Sequence, residues 1–331
     1  MVRVLDLFSG AGGFSLGFLQ EKGFEVKLCI DNNYKLFQTY IKNFPKIRHL
    51  NRDITSFSLQ DIQGLQERYK FNIIIGGPPC QGFSLAGKIG RKESLDKRND
   101  LFLSYLNFVK IIQPEVFVME NVATLKRHNG GKTLENIETK FKELGYIIKH
   151  EILNASDYGI AQNRRRIFII GTKHKGFNFP TKNRNKISIK ECIGDLPPLK
   201  SGENSKIPNH KAMLHSKQML EKMSFVKDGL GRECIPEELR PKSGDVRKYI
   251  RYKSNEPSIT ITGDMRKVFH YSQNRALSAR ELARLQSFPD SFIFYGNSID
   301  IQQQIGNAVP VKLAHLIAKE VKKYLEANHL V

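Results

Sequence analysis

Cys80 stands in Gly76-Gly77-Pro78-Pro79-Cys80-Gln81-Gly82-Phe83-Ser84, a segment that leaves a fully apolar run and sets a thiol among prolines and glycines. A thiolate is the best side-chain nucleophile near neutral pH, so a cysteine on a proline-braced loop is placed to attack an electrophilic carbon. The plainer alternative is the small buried hydrophobe that most unpaired cysteines are, and flanking prolines and glycines in place of apolar neighbours weigh against it. Glu120 follows a second apolar run, in Met119-Glu120-Asn121-Val122. A carboxyl group has little structural reason to follow so apolar a run, which makes it a candidate acid or, failing that, a helix-capping carboxylate. In Gln162-Asn163-Arg164-Arg165-Arg166, strand alternation points Arg164 and Arg166 to one side and Arg165 to the other. Two guanidinium groups could then converge on a site, although the same run taken alone is a solvated basic stretch.

A fourth segment, Asp6-Leu7-Phe8-Ser9-Gly10-Ala11-Gly12-Gly13-Phe14, puts glycines directly after the first apolar run. Such a turn lets the backbone come close to a nucleotide-like ligand, or serves only to reverse the chain; the spacing is not GxGxxG. Asp31 ends the second strand and Asp53 follows the third, where one carboxylate could hold a ribose and the other lie near an adenine, unless they are ordinary caps.

The elements that must position these groups alternate. Apolar runs at residues 2–8, 25–30, 71–75 and 116–119 read as buried strands, and residues 14–22, 34–43, 100–112 and 133–144 have helical spacing between them. Residues 147–153 and 166–171 supply further strands. The pattern predicts an α/β domain with a doubly wound, mostly parallel sheet, whose strand ends would carry every segment above. From about Lys173 the pattern gives way to lysine, asparagine, proline and glycine with short strand-like runs such as residues 258–262, which predicts a smaller irregular domain. Residues 278–287 are again helical, and residues 301–325 carry a loop and a long amphipathic helix suited to closing the first domain. The boundaries drawn are 1–172, 173–290 and 291–331.

With 331 residues the chain can bury a sizeable core. No apolar run approaches the ~20 residues of a membrane span, and no signal-peptide pattern opens the chain, so a soluble intracellular protein is expected. The four cysteines form no CxxC pair, which argues against a zinc site or a disulfide framework. Lysine and arginine total 53 against 33 acids, a net charge of +20. Between Lys173 and Lys267 there are 21 basic and 11 acidic residues, so half of the excess sits in under a third of the chain. That stretch is a candidate polyanion-facing segment, or a lysine-rich surface and no more.

Taken together, these motifs resemble the cytosine-C5 DNA methyltransferase family in its compact prokaryotic, restriction-modification form. The resemblance covers nearly the whole chain: the turn at residues 6–14, Pro78-Pro79-Cys80-Gln81, Glu120-Asn121-Val122, residues 162–166, Arg280-Glu281-Leu282-Ala283-Arg284 with Gln286-Ser287-Phe288-Pro289-Asp290, and Gln304-Ile305-Gly306-Asn307-Ala308-Val309-Pro310 stand in the family's order. Chance agreement of six ordered motifs is negligible. Two positions depart from the pattern, Asp31 where the family usually has Glu and Asn32 where it often has an apolar or aromatic residue, and the ribose and adenine contacts rest on them.

The resemblance implies an S-adenosylmethionine-dependent methyltransferase fold with a small DNA-recognition domain, Cys80, Glu120, Arg164 and Arg166 as catalytic residues, and no metal. S-adenosyl-L-methionine, leaving as S-adenosyl-L-homocysteine, would be held by Phe8, Gly10, Gly12, Gly13, Phe14, Asp31, Asp53, Ile54, Pro78 and Asn307. Cys80 would add to carbon 6 of cytosine and make carbon 5 enamine-like, Glu120 would donate a hydrogen bond or proton to N3, and carbon 5 would take the methyl group. The base must leave the duplex to be reached, and residues 85–99 would be the loop that closes over the DNA, with Arg98 at a family position. The implied partner is double-stranded DNA, with a cognate restriction endonuclease that shares the site without a stable complex. A cytoplasmic bacterial monomer, nucleoid-associated through DNA, follows from the same resemblance. Arg232, Arg247, Arg251 and Arg266 are plausible DNA contacts in the variable region, though each could equally be a surface charge.

Three rivals can be weighed on the sequence. One branch resembling this family modifies transfer RNA, but it characteristically departs from the Gly-Gly-Pro-Pro-Cys-Gln-Gly-Phe-Ser form present here. A non-catalytic DNA-binding module would not need all the catalytic positions intact. An enzyme of free pyrimidine nucleotides shares the carbon-6 logic and has no use for a basic domain.

Overall fold

The computed structural model describes residues 1–79, 97–183, 185–241 and 248–331, with 97–99 described by backbone alone. By contact the chain forms two units: Met1–Leu153 with Arg165–Thr181 and Leu313–Val331, and Asn154–Arg164 with Lys182–Lys312. The second unit therefore takes in residues 154–164 and 291–312 as well as most of the variable region.

The first unit is a layered α/β structure built on strands β1 (Val2–Leu7), β2 (Phe24–Asp31), β3 (Arg48–Asn51), β4 (Ile73–Gly76), β5 (Val116–Val122), β6 (Ile147–Asn154) and β7 (Arg165–Thr172). Helices α1 (Gly13–Leu19), α2 (Tyr34–Asn43), α3 (Leu59–Tyr69), α4 (Lys97–Ile112) and α5 (Lys132–Glu143) join them. The sheet order is β3-β2-β1-β4-β5-β7-β6, with β7 antiparallel to β5 and the pairs from β3 to β5 parallel. This is the predicted doubly wound sheet. The chain runs outward from β1 to β3 and then returns to place β4 on the other side of β1. The carboxyl ends of β1 and β4 thus flank the switch in direction, where such sheets open a crevice. Uniformly buried strands such as β4, with Ile73, Ile74 and Ile75 all at zero exposure, explain why these runs read as apolar throughout instead of alternating.

The expected helices at 34–43, 100–112 and 133–144 are present within a few residues. Helix α3 was not anticipated: only Ile62 is fully buried in it and glutamines dilute its apolar face, but Ser58 and Asp61 close a capping box at its start. The tail contains two helices, α9 (Ser298–Asn307) and α10 (Val311–Ala327), parted at Pro310; the expectation of one loop and one helix missed the first. From Leu313 onward α10 belongs to the first unit.

The second unit has little regular structure: short helices α6 (Ile189–Ile193), α7 (Lys217–Phe225) and α8 (Ala279–Leu285), with α9, and a two-residue parallel pair, β8 (Ile250–Arg251) with β9 (Val268–Phe269). Residues 258–262, expected as strand-like, form only an isolated bridge from Ser258 to Gln162. Buried arginines supply what a sheet would otherwise provide. Arg251 donates to the carbonyls of Met223, Val226, His270 and Gln273 and to Asn274 Oδ1. Arg280 donates to the carbonyls of Pro208, Pro289 and Phe292. Arg275 pairs with Glu281 through two nitrogens and also holds the carbonyls of Leu199 and Ala276. A guanidinium has five donors in a rigid fork, enough to satisfy several buried carbonyls that no strand partner reaches. Arg251 is therefore an internal brace, and its reading as a plausible DNA contact is corrected.

Candidate active site

Register aligns the ends of three strands: Leu7 pairs with Gly76, and Gly76 with Met119. Phe8, Gly77 and Glu120 consequently follow side by side at the carboxyl edge. Cys80 lies outside the described residues, three positions beyond Gly77, as does the side chain of Arg98.

Glu120 and Arg166 meet across the antiparallel pair. Glu120 is opposite Phe168 and Arg166 opposite Val122, so the two side chains share a face on a diagonal. Arg166 Nε lies 3.0 Å from Glu120 Oε1, with both side chains mostly buried at 15% and 13% exposure. Such a pair fixes the direction of the carboxyl group and balances its charge away from bulk water. Gly77 fits against it: a Cβ there would stand 3.3 Å from Glu120 Oε2, so the loop leading to Cys80 passes beside the carboxyl group. Asn121 secures the same loop, its buried amide donating to the Pro78 carbonyl at 2.7 Å. Neither Gly77 nor Asn121 was singled out as a separate contributor from sequence.

Arg164 precedes β7 and belongs to the second unit. Its Nη1 and Nη2 donate to the carbonyls of Ile261 and Ala308, each at 3.1 Å, and the residue is 2% exposed. The alternation argument for Arg164 and Arg166 assumed both inside one strand; β7 starts at Arg165, which removes that premise. Gln162 of the same cluster holds Leu285, Gln286 and Ile261, another internal clamp within the second unit. Asn307 is the exposed last residue of α9, also in the second unit.

The glycine turn is built over buried polar groups. Phe8 adopts a left-handed backbone at φ 60°, and its N–H donates to the Ile30 carbonyl at 2.9 Å. The Gly10 N–H donates to Asp31 Oδ2 at 2.9 Å, so Asp31 fastens the turn to the end of β2, and its other oxygen accepts from Asn33 N–H. Burial raises the Asp31 pKa. Gly12 is obligatory in two ways: φ is 93°, and a Cβ would fall 2.4 Å from the Phe44 ring. Gly10 faces open space. Gly13 begins α1, and Phe14 packs edge-on against Phe18 and Phe168. Asp53 caps the short 3-10 turn Ile54–Ser56, accepting from Thr55 N–H, and its Oδ2 is 3.3 Å from the Asn32 amide; Ile54 is buried.

Beneath the turn lies a chain of groups to which the motifs assigned no role. Asp6, 1% exposed, accepts from Ser15 Oγ at 2.5 Å, and Ser15 Oγ is 2.7 Å from the Tyr40 hydroxyl. Burial pushes the Asp6 carboxyl up to about 7. Asp6 Oδ1 and Ser9 Oγ are buried without a hydrogen bond among the described residues. The legible signal was an acid flanked by Leu5 and Leu7 in an otherwise apolar strand. Among the described residues no group of histidine, cysteine, aspartate and glutamate could hold a metal ion, and no helix is long and apolar enough to cross a membrane.

Comparison with known proteins places this architecture. The model of the C-5 cytosine-specific DNA methylase family matches residues 2–323. Type II methyltransferase M1.HphI of Haemophilus parahaemolyticus is 54% identical over 321 residues, 96% of this chain and 86% of that protein. Type II methyltransferase M.DdeI of Desulfomicrobium norvegicum is 33% identical, covering 100% and 91%. Among solved structures, a prophage-encoded E. coli protein assigned as a DNA modification methyltransferase superposes with a TM-score of 0.81 at 26% identity, covering 98% of this chain and all of that one. The S. pombe Dnmt2 methyltransferase reaches 0.66 at 20% identity over 98% of this chain and 99% of its own, a likeness of fold.

Proposed function

Since this chain belongs to the C-5 cytosine-specific DNA methylase family and is a DNA cytosine-5-methyltransferase, we propose that it methylates a specific double-stranded site through a covalent Cys80 adduct, as the modification half of a restriction-modification pair. The observation that carries this reading is the Glu120–Arg166 pair set against Gly77, three residues before the thiol.

The residues at the glycine turn fit S-adenosyl-L-methionine: an open flank at Gly10, a carboxylate at Asp31, and orphaned polar atoms on Asp6 and Ser9 that call for a polar partner. Phe8, Gly12, Gly13, Phe14, Asp53, Ile54 and Pro78 would complete its seat in the first unit; Asn307 is proposed as a cofactor contact on the strength of its motif alone. When bound, it supplies an electrophilic methyl group on a sulfonium. The chain's own residues prepare the acceptor. Cys80 sulfur adds to carbon 6 of a cytosine turned out of the duplex, and the electron pair of the 5,6 double bond moves onto carbon 5, conjugated with the ring. Glu120, in its protonated form, donates a hydrogen bond or its proton to N3 and drains the charge that develops on attack. Arg166 orients Glu120, and Arg164 braces the residues leading into β7. After carbon 5 is methylated its proton passes to a water molecule acting as base, and the freed electron pair re-forms the 5,6 double bond as the thiolate leaves carbon 6. The basic second unit would hold phosphates and read base edges.

DNA carrying 5-fluorocytosine at the target lacks the departing proton and should trap the adduct. Peptide mapping after incubation with cofactor should find the crosslink at Cys80. No adduct with the wild-type protein, or a label transferred to transfer RNA and not to plasmid, overturns the reading. Bisulfite sequencing of plasmid from expressing cells gives the site.

A further inference from the structure

We propose that Lys126, Arg127 and Lys132 form a phosphate clamp on the sheet unit itself, separate from the variable region, holding the DNA backbone beside the target nucleotide. The inference rests on the DNA reading above and extends it to a surface that the motifs do not mark.

Three observations carry it. The segment follows directly from the carboxyl end of β5, two residues beyond Asn121, so it lies at the same sheet edge as Glu120. From Asn121 to Leu134 the sequence has no acid. Lys126, Arg127 and Lys132 are exposed, and their side chains make no hydrogen bond or ion pair among the described residues. Lys27, Arg52, Lys142, Lys322 and Lys323 of this unit each face an acid, whereas these three cations cluster on one loop with none among the described residues.

The segment's shape concentrates the three charges. Asn129, Gly130 and Gly131 have φ of 51°, 64° and 92°, which reverses the chain. A Cβ on Gly131 would then come within 3.7 Å of the Lys126 carbonyl, so the two basic ends of the loop adjoin. His128 Nδ1 is 2.7 Å from Thr133 Oγ1, an interaction that pins the reversal from inside. Holding like charges together without acids costs folding energy on an isolated protein surface, a cost that a polyanion offsets by releasing its counterions. Duplex DNA that offers a flipped base at this edge carries phosphates on both sides of it.

The test compares the K126Q/R127Q/K132Q variant with K42Q/K46Q/K110Q, which removes the same charge at exposed positions near the ends of α2 and α4. Those helices run back along the sheet, so their ends lie at its amino edge, away from Glu120. The clamp variant should bind a duplex carrying the methylated site with a log Kd against log salt slope shallower by about 0.9 for each phosphate that is no longer neutralised. Its KM for DNA should rise at least about tenfold near 0.1 M salt, with affinity for the cofactor unchanged. K126R/K132R should keep the wild-type slope. An unchanged slope, or an equal change in the control, overturns the clamp. Failure of the wild type to methylate DNA overturns the functional reading instead, so the two failures are distinguishable.

Discussion

Asp6→Asn isolates the energetic consequence of an acid buried beneath the glycine turn. In the folded protein the Asp6 carboxyl is pushed up to about 7, first by burial, from an ordinary value of 3.8. Below the ordinary value the group is neutral folded and unfolded, and it costs nothing through ionisation. As pH rises the unfolded chain releases the proton while the folded chain retains it, so stability falls until the folded group also ionises near neutrality. The full loss is about 4 kcal/mol at 1.36 kcal/mol per pH unit, of which about 3 kcal/mol develops between pH 5 and pH 8. Asparagine can still accept from Ser15 but does not titrate, and its buried amide adds a penalty that is the same at both pH values. Urea unfolding followed by circular dichroism should therefore show the stability of Asp6→Asn relative to wild type increasing by about 3 kcal/mol from pH 5 to pH 8. All other titrating groups cancel in that difference. Parallel pH profiles for the two proteins would refute the reasoning.

Glu120→Gln should lower kcat by about 10²- to 10⁴-fold with little change in cofactor affinity, measured by single-turnover methyl transfer and equilibrium binding. Gly77→Ala places a methyl group 3.3 Å from Glu120 Oε2 and should reduce kcat by roughly 10²-fold through misplacement, with circular dichroism unchanged. Tyr40→Phe removes the hydroxyl that supports Ser15, and titration calorimetry should show cofactor binding weakened by about fivefold, near 1 kcal/mol. Arg251→Ala removes a donor from four carbonyls, of which Met223 and Gln273 keep a backbone N–H, and should destabilise the second unit by about 3 kcal/mol, read as rapid proteolytic cleavage within residues 182–312 while cofactor binding survives.

What could be read from the sequence tracks where burial is uniform and where it is not. The central strands β4 and β5 are buried along nearly their whole length, so they appear as unbroken apolar runs, and the polar residues at their ends stand out. Glu120 was legible for that reason. Asp6 was harder because it sits inside a strand, and its significance depends on Ser15 and Tyr40 arriving from α1 and α2. The Glu120–Arg166 pair required knowing that β7 runs antiparallel to β5, which periodicity does not encode. In the second unit the fold rests on arginine-to-carbonyl bonds between residues up to 144 positions apart, as from Arg164 to Ala308, or 76 from Arg275 to Leu199. No local pattern distinguishes those arginines from exposed cations, and Arg251 reads from sequence as either a DNA contact or a surface charge, not as an internal brace.

The same arginines bear on how the second unit tolerates change. A backbone carbonyl is present at every residue, so a guanidinium that grips carbonyls is indifferent to the side chains of the loop it grips. Side-chain changes at Met223, Val226 and Phe292, whose carbonyls Arg251 and Arg280 hold, leave that anchorage in place. A new surface on this unit then needs no new scaffold, and a lineage can alter what it presents without first passing through an unfolded ancestor.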